Sequence, residues 1–387
     1  MVANGKYSFK ENAAPVSCWC LKADFAESSG SHNVGVARLW NDVMKSVVSG
    51  GNYILRTDAQ KWAAQNSYEY DVRTTIDGFP IVLFQRDSAN SPLVCLGQYN
   101  FNNDKSTEDV FGFTALSKEG VTPFDNSHVE CWEVLDSDNS IALFTDVSDF
   151  DNSWDNAFEA RYPDKNKNVT ALKSVCQFLN SCYDSTNNTV DVATWRAGKA
   201  SHFDLNKLAA YYVYLLRFGA VDQTVKNAMF TTEDGEHWFY INYDNDTVLG
   251  IDNESRQFDT WDYGLFTQTP QGGYYYAGKG KSVLWRLFEA DSDCMALARQ
   301  IDALLFSAGL TYDKVLEMFD DKQSSQWCER IYNENGRYKY ISQALQGQNV
   351  LHMLQGSRKS HRHWWLSHRF EKYDNIFGNG TYSIRSI

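Results

Sequence analysis

The chain has 387 residues, of which 43% are hydrophobic and 15% aromatic, so it can bury a substantial apolar core. Its formal charge of −13 argues against nucleic acid or an anionic membrane as the main partner, because both would repel it. No apolar run approaches the ~20 residues of a membrane span, and the N-terminal stretch lacks the apolar centre of a secretion signal.

The cysteine spacing points to free thiols. Eight cysteines are scattered along the chain, and no C-x-x-C pair occurs. Zinc sites and disulfide frameworks use closer or paired spacings, so we expect buried thiols and a reducing compartment.

Up to about residue 165 the sequence consists mostly of short β-like runs separated by polar turns. One helix interrupts them over "GVARLWNDVMKSVV", whose apolar residues share one face. The predicted strands are "SCWCLKADF", "FPIVLF", "PLVCLGQYNF", "HVECWEVL" and "SIALF". We therefore expect residues 1–165 to form a β-rich N-terminal lobe that carries a helix.

Helices dominate from residue 166 onward. The stretch "DLNKLAAYYVYLLRFGAV" is apolar nearly all round and begins with Asp204 as a candidate N-cap, which predicts a central buried helix. Further helices are predicted over "VTALKSVCQFLNSCY", "SVLWRLFE", "CMALARQIDALLFSA", "TYDKVLEMFDDKQSSQWCERIYNE" and "HRHWWLSHRFEKYD". The exceptions are a strand in "HWFYINYDND" and a loop in "TPQGGYYYAGKGKS". Residues 166–387 are thus expected to form a helical C-terminal lobe.

Acidic and amide side chains follow the central helix at suggestive spacings. Asp222 and Asn227 are five residues apart, and Asp244 and Asp246 follow across a predicted hairpin. If the strand continued through that pair, both carboxylates would point to one side and repel, so we expect a positive partner there. Hard oxygen ligands of this kind suit Mg²⁺ on a polyphosphate.

Simpler interpretations of these residues stay open. Asp244 and Asp246 could lie in a solvated turn with Asn245 in a left-handed conformation, and Asp222 and Asn227 could be capping and turn residues. The "AGKGKS" stretch lacks the first glycine of a phosphate-binding loop, which favours a flexible loop. The basic stretch from Arg358 to Arg369 is expected to be a solvated helix face that pairs with acidic neighbours.

The order of an Asp, an Asn five residues on and a strand ending in Asp is the order used in protein kinases. In wider context the chain resembles the CotH spore-coat kinase family, and in particular the divergent version found within large bacteriophage proteins. The similar stretches run in order: "LKADFAESSGSHNVGVARLWNDV", "TTIDGFPIVLF", "LVCLGQYNFNNDKS", "FEARYPD", "VDQTVKNAMF", "WFYINYDNDTVLG" and, for the phage type, "LHMLQGSRKSHRHWWLSHRF".

The resemblance implies a fold and a set of roles. The implied fold is α+β, with a divergent protein-kinase-like two-lobe architecture. The implied cofactors are ATP and Mg²⁺ or Mn²⁺. Asp222 would be the catalytic base, and Asn227, Asp244 and Asp246 would hold the metal. Lys105 and Arg161 would contact the nucleotide, although the family often has Lys where this chain has Arg161. Gly250 would allow a tight turn after the metal strand.

Two functions follow from the resemblance. The first is a kinase that transfers the γ-phosphoryl group of ATP to a protein Ser or Thr. The alternative is a catalytically lapsed structural or interaction module of a phage virion protein. The expected partners are a protein substrate or other virion proteins, without nucleic acid or membrane. The expected location is a bacteriophage virion or the bacterial host cytoplasm.

Overall fold

The computed structural model describes residues 5–22, 32–105, 108–135, 150–220, 222–224, 227–251, 261–262, 283–319 and 357–378. These residues form strands and helices of the predicted α+β class. The strands are β1 Trp19–Lys22, β2 Val48–Ser49, β3 Asn52–Tyr53, β4 Gly78–Gln85, β5 Val94–Asn103, β6 Glu130–Val134, β7 Phe158–Tyr162, β8 Tyr183–Asp184, β9 Thr189–Val190, β10 Met229–Thr232 and β11 Trp238–Ile241.

The helices lie around these strands, and three-residue 3₁₀ helices supplement them at Trp154–Asn156, Asp222–Thr224 and Asn245–Thr247. The α-helices are α1 His32–Met44, α2 Asp58–Gln65, α3 Glu108–Phe111, α4 Phe150–Ser153, α5 Thr170–Ser181, α6 Val192–His202, α7 Leu205–Phe218, α8 Val283–Ala290, α9 Ser292–Ser307, α10 Tyr312–Phe319 and α11 Ser357–Phe377. In the described part of the chain, no helix combines the length and apolar character needed to cross a membrane.

Two antiparallel sheets organise the strands. The first has the order β1-β5-β4, so the long strand β5 is central. The second has the order β11-β10-β6-β7 and therefore joins strands from both sides of residue 165. Two short ribbons, β2-β3 and β8-β9, complete the pairing. The boundary between lobes near residue 165 stays a prediction, but the hairpin β10-β11 is built onto strands that precede it.

Most predicted strands and helices are confirmed within a few residues. The predicted strand "SIALF", the loop "TPQGGYYYAGKGKS" and the end of the helix that starts at Tyr312 lie outside the described residues. Helix α2 was not predicted, although its start carries a usable signal. Thr57 accepts from the backbone N–H of Gln60, and the Gln60 side chain accepts from the N–H of Thr57, which is a capping box.

Helix α7 is the central helix of the molecule. The Asp204 side chain caps it by accepting from the Lys207 backbone N–H at 3.1 Å, as predicted. Every residue from Lys207 to Phe218 is buried, and Gly219 ends the helix in the left-handed conformation. A buried helix of this length fixes the point at which the following loop begins.

The expectation of a solvated basic face on α11 is wrong for Arg362 and Arg369, which are 3% and 0% exposed. Arg369 turns inward because it binds two backbone carbonyls, one of which lies in the last turn of α7. Its Nε donates to the carbonyl of Leu216 at 2.7 Å, and another guanidinium nitrogen donates to the carbonyl of Trp261 at 2.9 Å. Trp365 on the same helix is also fully buried.

The two faces of the four-stranded sheet are covered by different apolar clusters. One face packs against α7 and the other helices through Trp132, Phe230 and Tyr240. The opposite face packs against α1 through Cys131, Met229 and Ile241. This alternation is what antiparallel strands with two buried faces require, and it fixes the register of the sheet.

The hairpin between β10 and β11 is closed by a hydrogen-bonded turn. The Asp234 carboxylate accepts from the backbone N–H of Glu236 and His237 and contacts the His237 ring at 2.6 Å. Partial burial would raise the pKa of Asp234, but these hydrogen bonds prevail and lower it to about 2. The turn therefore holds β11 at a fixed position along β10.

Gly250 follows the predicted metal strand at φ +78°. A Cβ atom there would lie 2.5 Å from Cδ1 of Trp365. We expect Gly250→Ala to lower the free energy of unfolding by about 2–5 kcal/mol, because backbone strain of about 1–2 kcal/mol adds to an overpacking cost of about 1–3 kcal/mol. Urea denaturation measures this loss.

Gly120→Ala is the matched control. Gly120 has φ +75°, and no heavy atom lies within 4 Å of the added Cβ. The substitution there therefore costs backbone strain without overpacking. We expect a loss of about 1–2 kcal/mol there. Equal losses in the two variants would show that contact with Trp365 does not restrict residue 250.

Candidate functional site

The structure brings Asp222 and Asn227 together directly after α7. Asp222 begins the 3₁₀ helix Asp222–Thr224 and is 2% exposed. The Asn227 side-chain amide donates to Asp222 Oδ2 at 3.1 Å, and Asn227 has a left-handed backbone with φ 49°. The predicted base and amide therefore form one hydrogen-bonded pair whose carboxylate is enclosed by protein.

Gln223 connects this pair to the segment after β11. Its side-chain amide donates to the backbone carbonyl of Asp244 and, at 3.4 Å, to that of Tyr243. The Tyr211 hydroxyl on α7 donates to the Gln223 carbonyl at 3.3 Å. Gln223 has no signal in the sequence, because a glutamine between an Asp and a Thr carries no distinctive pattern.

The prediction that Asp244 and Asp246 point to one side of a strand is wrong. Strand β11 ends at Ile241, Asp244 has a left-handed backbone with φ 53°, and a 3₁₀ helix begins at Asn245. The alternation of side chains along a strand does not extend beyond the strand. Asp246 is half-buried on this 3₁₀ helix, and the left-handed residue is Asp244 rather than Asn245.

The side chain of Asn245 is bound inside the protein, which fixes the segment that follows β11. It is fully buried, and its Oδ1 accepts from the Tyr214 hydroxyl at 2.5 Å. Its Nδ2 donates to Asn242 Oδ1 at 2.7 Å, and its backbone N–H donates to Asn33 Oδ1 at 3.2 Å. These bonds join the segment to α7 and α1, so the flanking aspartates have a fixed backbone.

The positive partner expected beside Asp244 is Lys22. The ammonium group of Lys22, the last residue of β1, makes an ion pair with Asp244 Oδ1. The side chains of Asp244 and Lys22 are 17% and 33% exposed. This contact joins the three-stranded sheet to the segment after β11. No sequence pattern indicates this ion pair, because the two residues are 222 positions apart.

Lys105 and Arg161, the predicted nucleotide-contacting residues, share one buried carboxylate. Lys105 Nζ donates to Glu133 Oε1 at 2.7 Å, and Arg161 Nε donates to Glu133 Oε2 at 2.5 Å. The side chain of Glu133 is 5% exposed. Arg161 also contacts the more exposed Glu159. The two cations are therefore held side by side, each with an acidic partner.

Tyr243 lies next to both groups of charges. Lys105 Nζ is 5.4 Å from the centre of its ring. Burial is the largest cause that raises the pKa of the Tyr243 hydroxyl, followed by the charge of Asp244, while Lys22 acts in the opposite direction. Tyr243 is therefore a neutral hydroxyl among these charged side chains at physiological pH.

The predicted metal-site residues have side-chain types that suit a hard divalent cation. Asp222, Asn227 and Asp244 offer carboxylate and amide oxygens, and Asp244 already attracts an ammonium group from another sheet. Among the residues that the structure describes, no three His, Cys, Asp or Glu side chains converge as metal ligands. The metal-binding roles of Asn227, Asp244 and Asp246 therefore stay predictions. In such a site, Asn227 would add an amide oxygen to the carboxylate oxygens of the aspartates.

Comparison with known protein families gives an independent result. Residues 124–292 match the family model described as CotH kinase protein. The match supports a kinase-like domain in this chain. The matched stretch contains Glu133, Arg161 and the whole segment from Asp222 to Asp246, whereas Lys22 and Lys105 precede it. No curated protein matches the chain.

The Glu133 carboxylate is expected to stabilise the fold measurably. In Glu133→Gln, Lys105 and Arg161 lose a common, nearly buried anion, and we expect a loss of about 1–3 kcal/mol in the free energy of unfolding. This value is below the ~3–5 kcal/mol of a fully buried pair, because both cations are partly exposed. Urea denaturation at neutral pH is the measurement.

Glu159→Gln provides the comparison. Glu159 is 49% exposed and contacts Arg161 but not Lys105. We expect a loss below about 1 kcal/mol there. A Glu133→Gln variant as stable as Glu159→Gln would contradict a stabilising role for the shared carboxylate.

Proposed function

We propose that this chain is a CotH-type kinase that transfers the γ-phosphoryl group of ATP to a Ser or Thr hydroxyl of a protein. The observation that supports the proposal best is the link through Gln223. Gln223, the neighbour of Asp222 in the chain, donates to the Asp244 backbone carbonyl, and the Asp222–Asn227 pair and Asp244 all lie within the stretch that matches the family model. In the kinase pattern, those three positions supply the base and the metal ligands.

Each residue has a defined task in this proposal. Asp222 orients the acceptor hydroxyl and takes its proton, and its bond from Asn227 holds the carboxylate in position. Asn227 and Asp244 would hold Mg²⁺ or Mn²⁺, with Asp246 as a further ligand or a support. When bound, the metal supplies positive charge to the phosphate oxygens. Lys105 and Arg161, which Glu133 holds in place, would contact the nucleotide phosphates.

Labelled ATP tests the activity and the assignment together. We expect transfer of ³²P to the chain itself or to dephosphorylated casein, and a loss of about 10²–10⁴-fold in Asp222→Asn, since positioned bases contribute that much. Asp244→Asn should also lose transfer. Asp313→Asn, on the exposed side of α10, is the control and should keep the wild-type rate. Transfer that persists in both site variants would refute the assignment.

A second candidate function is a structural or interaction module that keeps the fold without catalysis. The ion pair between Lys22 and Asp244 favours it, because a lysine already neutralises a predicted metal ligand. Residues 351–370 resemble phage-type proteins. For the structural module we therefore propose a location in a bacteriophage virion or the host cytoplasm, with other virion proteins as partners.

Thermal denaturation separates the two functions. For the kinase, Mn²⁺ with ATP should raise the melting temperature, because binding to the native state alone stabilises it, and Asp244→Asn should abolish the rise. For the structural module, the melting temperature should stay constant at any concentration of Mn²⁺ and ATP.

A further inference from the structure

Lys22 differs from the other two cations of the site in the carboxylate that it contacts. Lys105 and Arg161 pair with Glu133, which lies on β6 and is assigned no part in metal binding. Lys22 instead pairs with Asp244, a predicted metal ligand. The Asp244 carboxylate is thus the partner of Lys22 and also the expected partner of a divalent metal ion.

An ammonium group and a divalent cation compete when they use the same carboxylate oxygen. Two cations beside one carboxylate repel each other, and the repulsion is stronger where protein replaces water. Asp244 Oδ1 is the atom that Lys22 contacts. Any metal that bonds to this oxygen must therefore displace the ammonium group or tolerate it at close range.

A polyphosphate changes this competition, because it offers the displaced ammonium group new anionic partners. The long, partly exposed Lys22 side chain can exchange one anion for another without a change in β1. The backbone of Asp244 is held independently, by the Gln223 amide on its carbonyl and by the buried Asn245 that follows it. The carboxylate thus keeps its place when its partner changes.

We propose that Lys22 is an internal counter-ion of Asp244 that opposes metal binding until a nucleotide phosphate draws it away. This inference rests on the proposed nucleotide and metal site, but not on phosphoryl transfer. It makes Lys22 a positioning residue that couples the two ligands, so that metal and nucleotide bind together more tightly than either does alone.

The test measures the two ligands separately by isothermal titration calorimetry. In Lys22→Met, Mn²⁺ alone should bind about fivefold more tightly, the factor expected from the upper range of a partly exposed ion pair. The non-hydrolysable analogue β,γ-imido-ATP, titrated in EDTA without metal, should bind about fivefold more weakly. A purely structural role would weaken both ligands or neither, so the opposite signs are diagnostic.

Three further variants complete the design. Lys10→Met removes a comparable ion pair in the same part of the chain, between Lys10 and Asp77 at 2.6 Å, and should change neither affinity. Lys22→Arg keeps the charge and should resemble the wild type, which guards against misfolding as the cause. Asp244→Asn should lose Mn²⁺ binding in both the wild-type and the Lys22→Met background.

Mn²⁺ affinity that is unchanged or reduced in Lys22→Met would overturn the proposal, as would the absence of Mn²⁺ binding in every variant. Failure of the kinase function is distinguishable from both results. Opposite shifts without ³²P transfer would keep the inference and reject the activity. Transfer without opposite shifts would keep the activity and reject the role of Lys22.

Discussion

The arrangement of the site depends on the pairing of β10 with β6 on one edge and β11 on the other. Met229, the first residue of β10, lies opposite Glu133 on β6 and Ile241 on β11. The loop from Asp222 enters the sheet at this row, and the segment with Asp244 leaves it there. A slip of one residue would turn Glu133 from the face of Cys131 and Met229 to the face of Trp132 and Phe230, so the packing of both faces fixes the position of the charges.

Charge neutralisation then connects this sheet to the three-stranded one. Glu133 and Asp244 are largely removed from water, and an unpaired carboxylate in such a place would cost several kcal/mol. Lys22 at the end of β1 and Lys105 just after β5 supply the opposite charges. These ion pairs are specific rather than strongly stabilising, because all their members except Glu133 keep some contact with solvent.

Much of the fold was predictable because its signals are local. Asp204 as the N-cap of α7, the apolar surface of α7 and the hairpin turn all follow from residues near one another in the sequence. The spacing of Asp222 and Asn227 likewise placed two side chains that prove to be hydrogen-bonded. The family resemblance placed the same residues within a stretch that the family model matches.

The remainder of the site depends on contacts between distant residues, which periodicity cannot report. Neither the pairing of Lys22 with Asp244 nor the sharing of Glu133 has a sequence pattern, because each requires the two sheets to be in place. Arg369 was misjudged for the same reason. A basic residue in a charged run is normally solvated, but here the end of α7 presents a backbone carbonyl to it.

Asn245 explains how a fixed backbone and an exchangeable charge coexist at Asp244. Had the strand continued, the side chain of Asn245 would point to the opposite face from the side chains of Asp244 and Asp246. Instead, Tyr214, Asn242 and Asn33 bind Asn245 inside the protein, and Asp244 takes a left-handed conformation. The carbonyl of Asp244 is then held by Gln223, while its carboxylate meets a cation from another sheet. Separate bonds therefore hold the backbone of Asp244 and its carboxylate. Because of this separation, the cation at the Asp244 carboxylate can change without moving Gln223, the neighbour of Asp222.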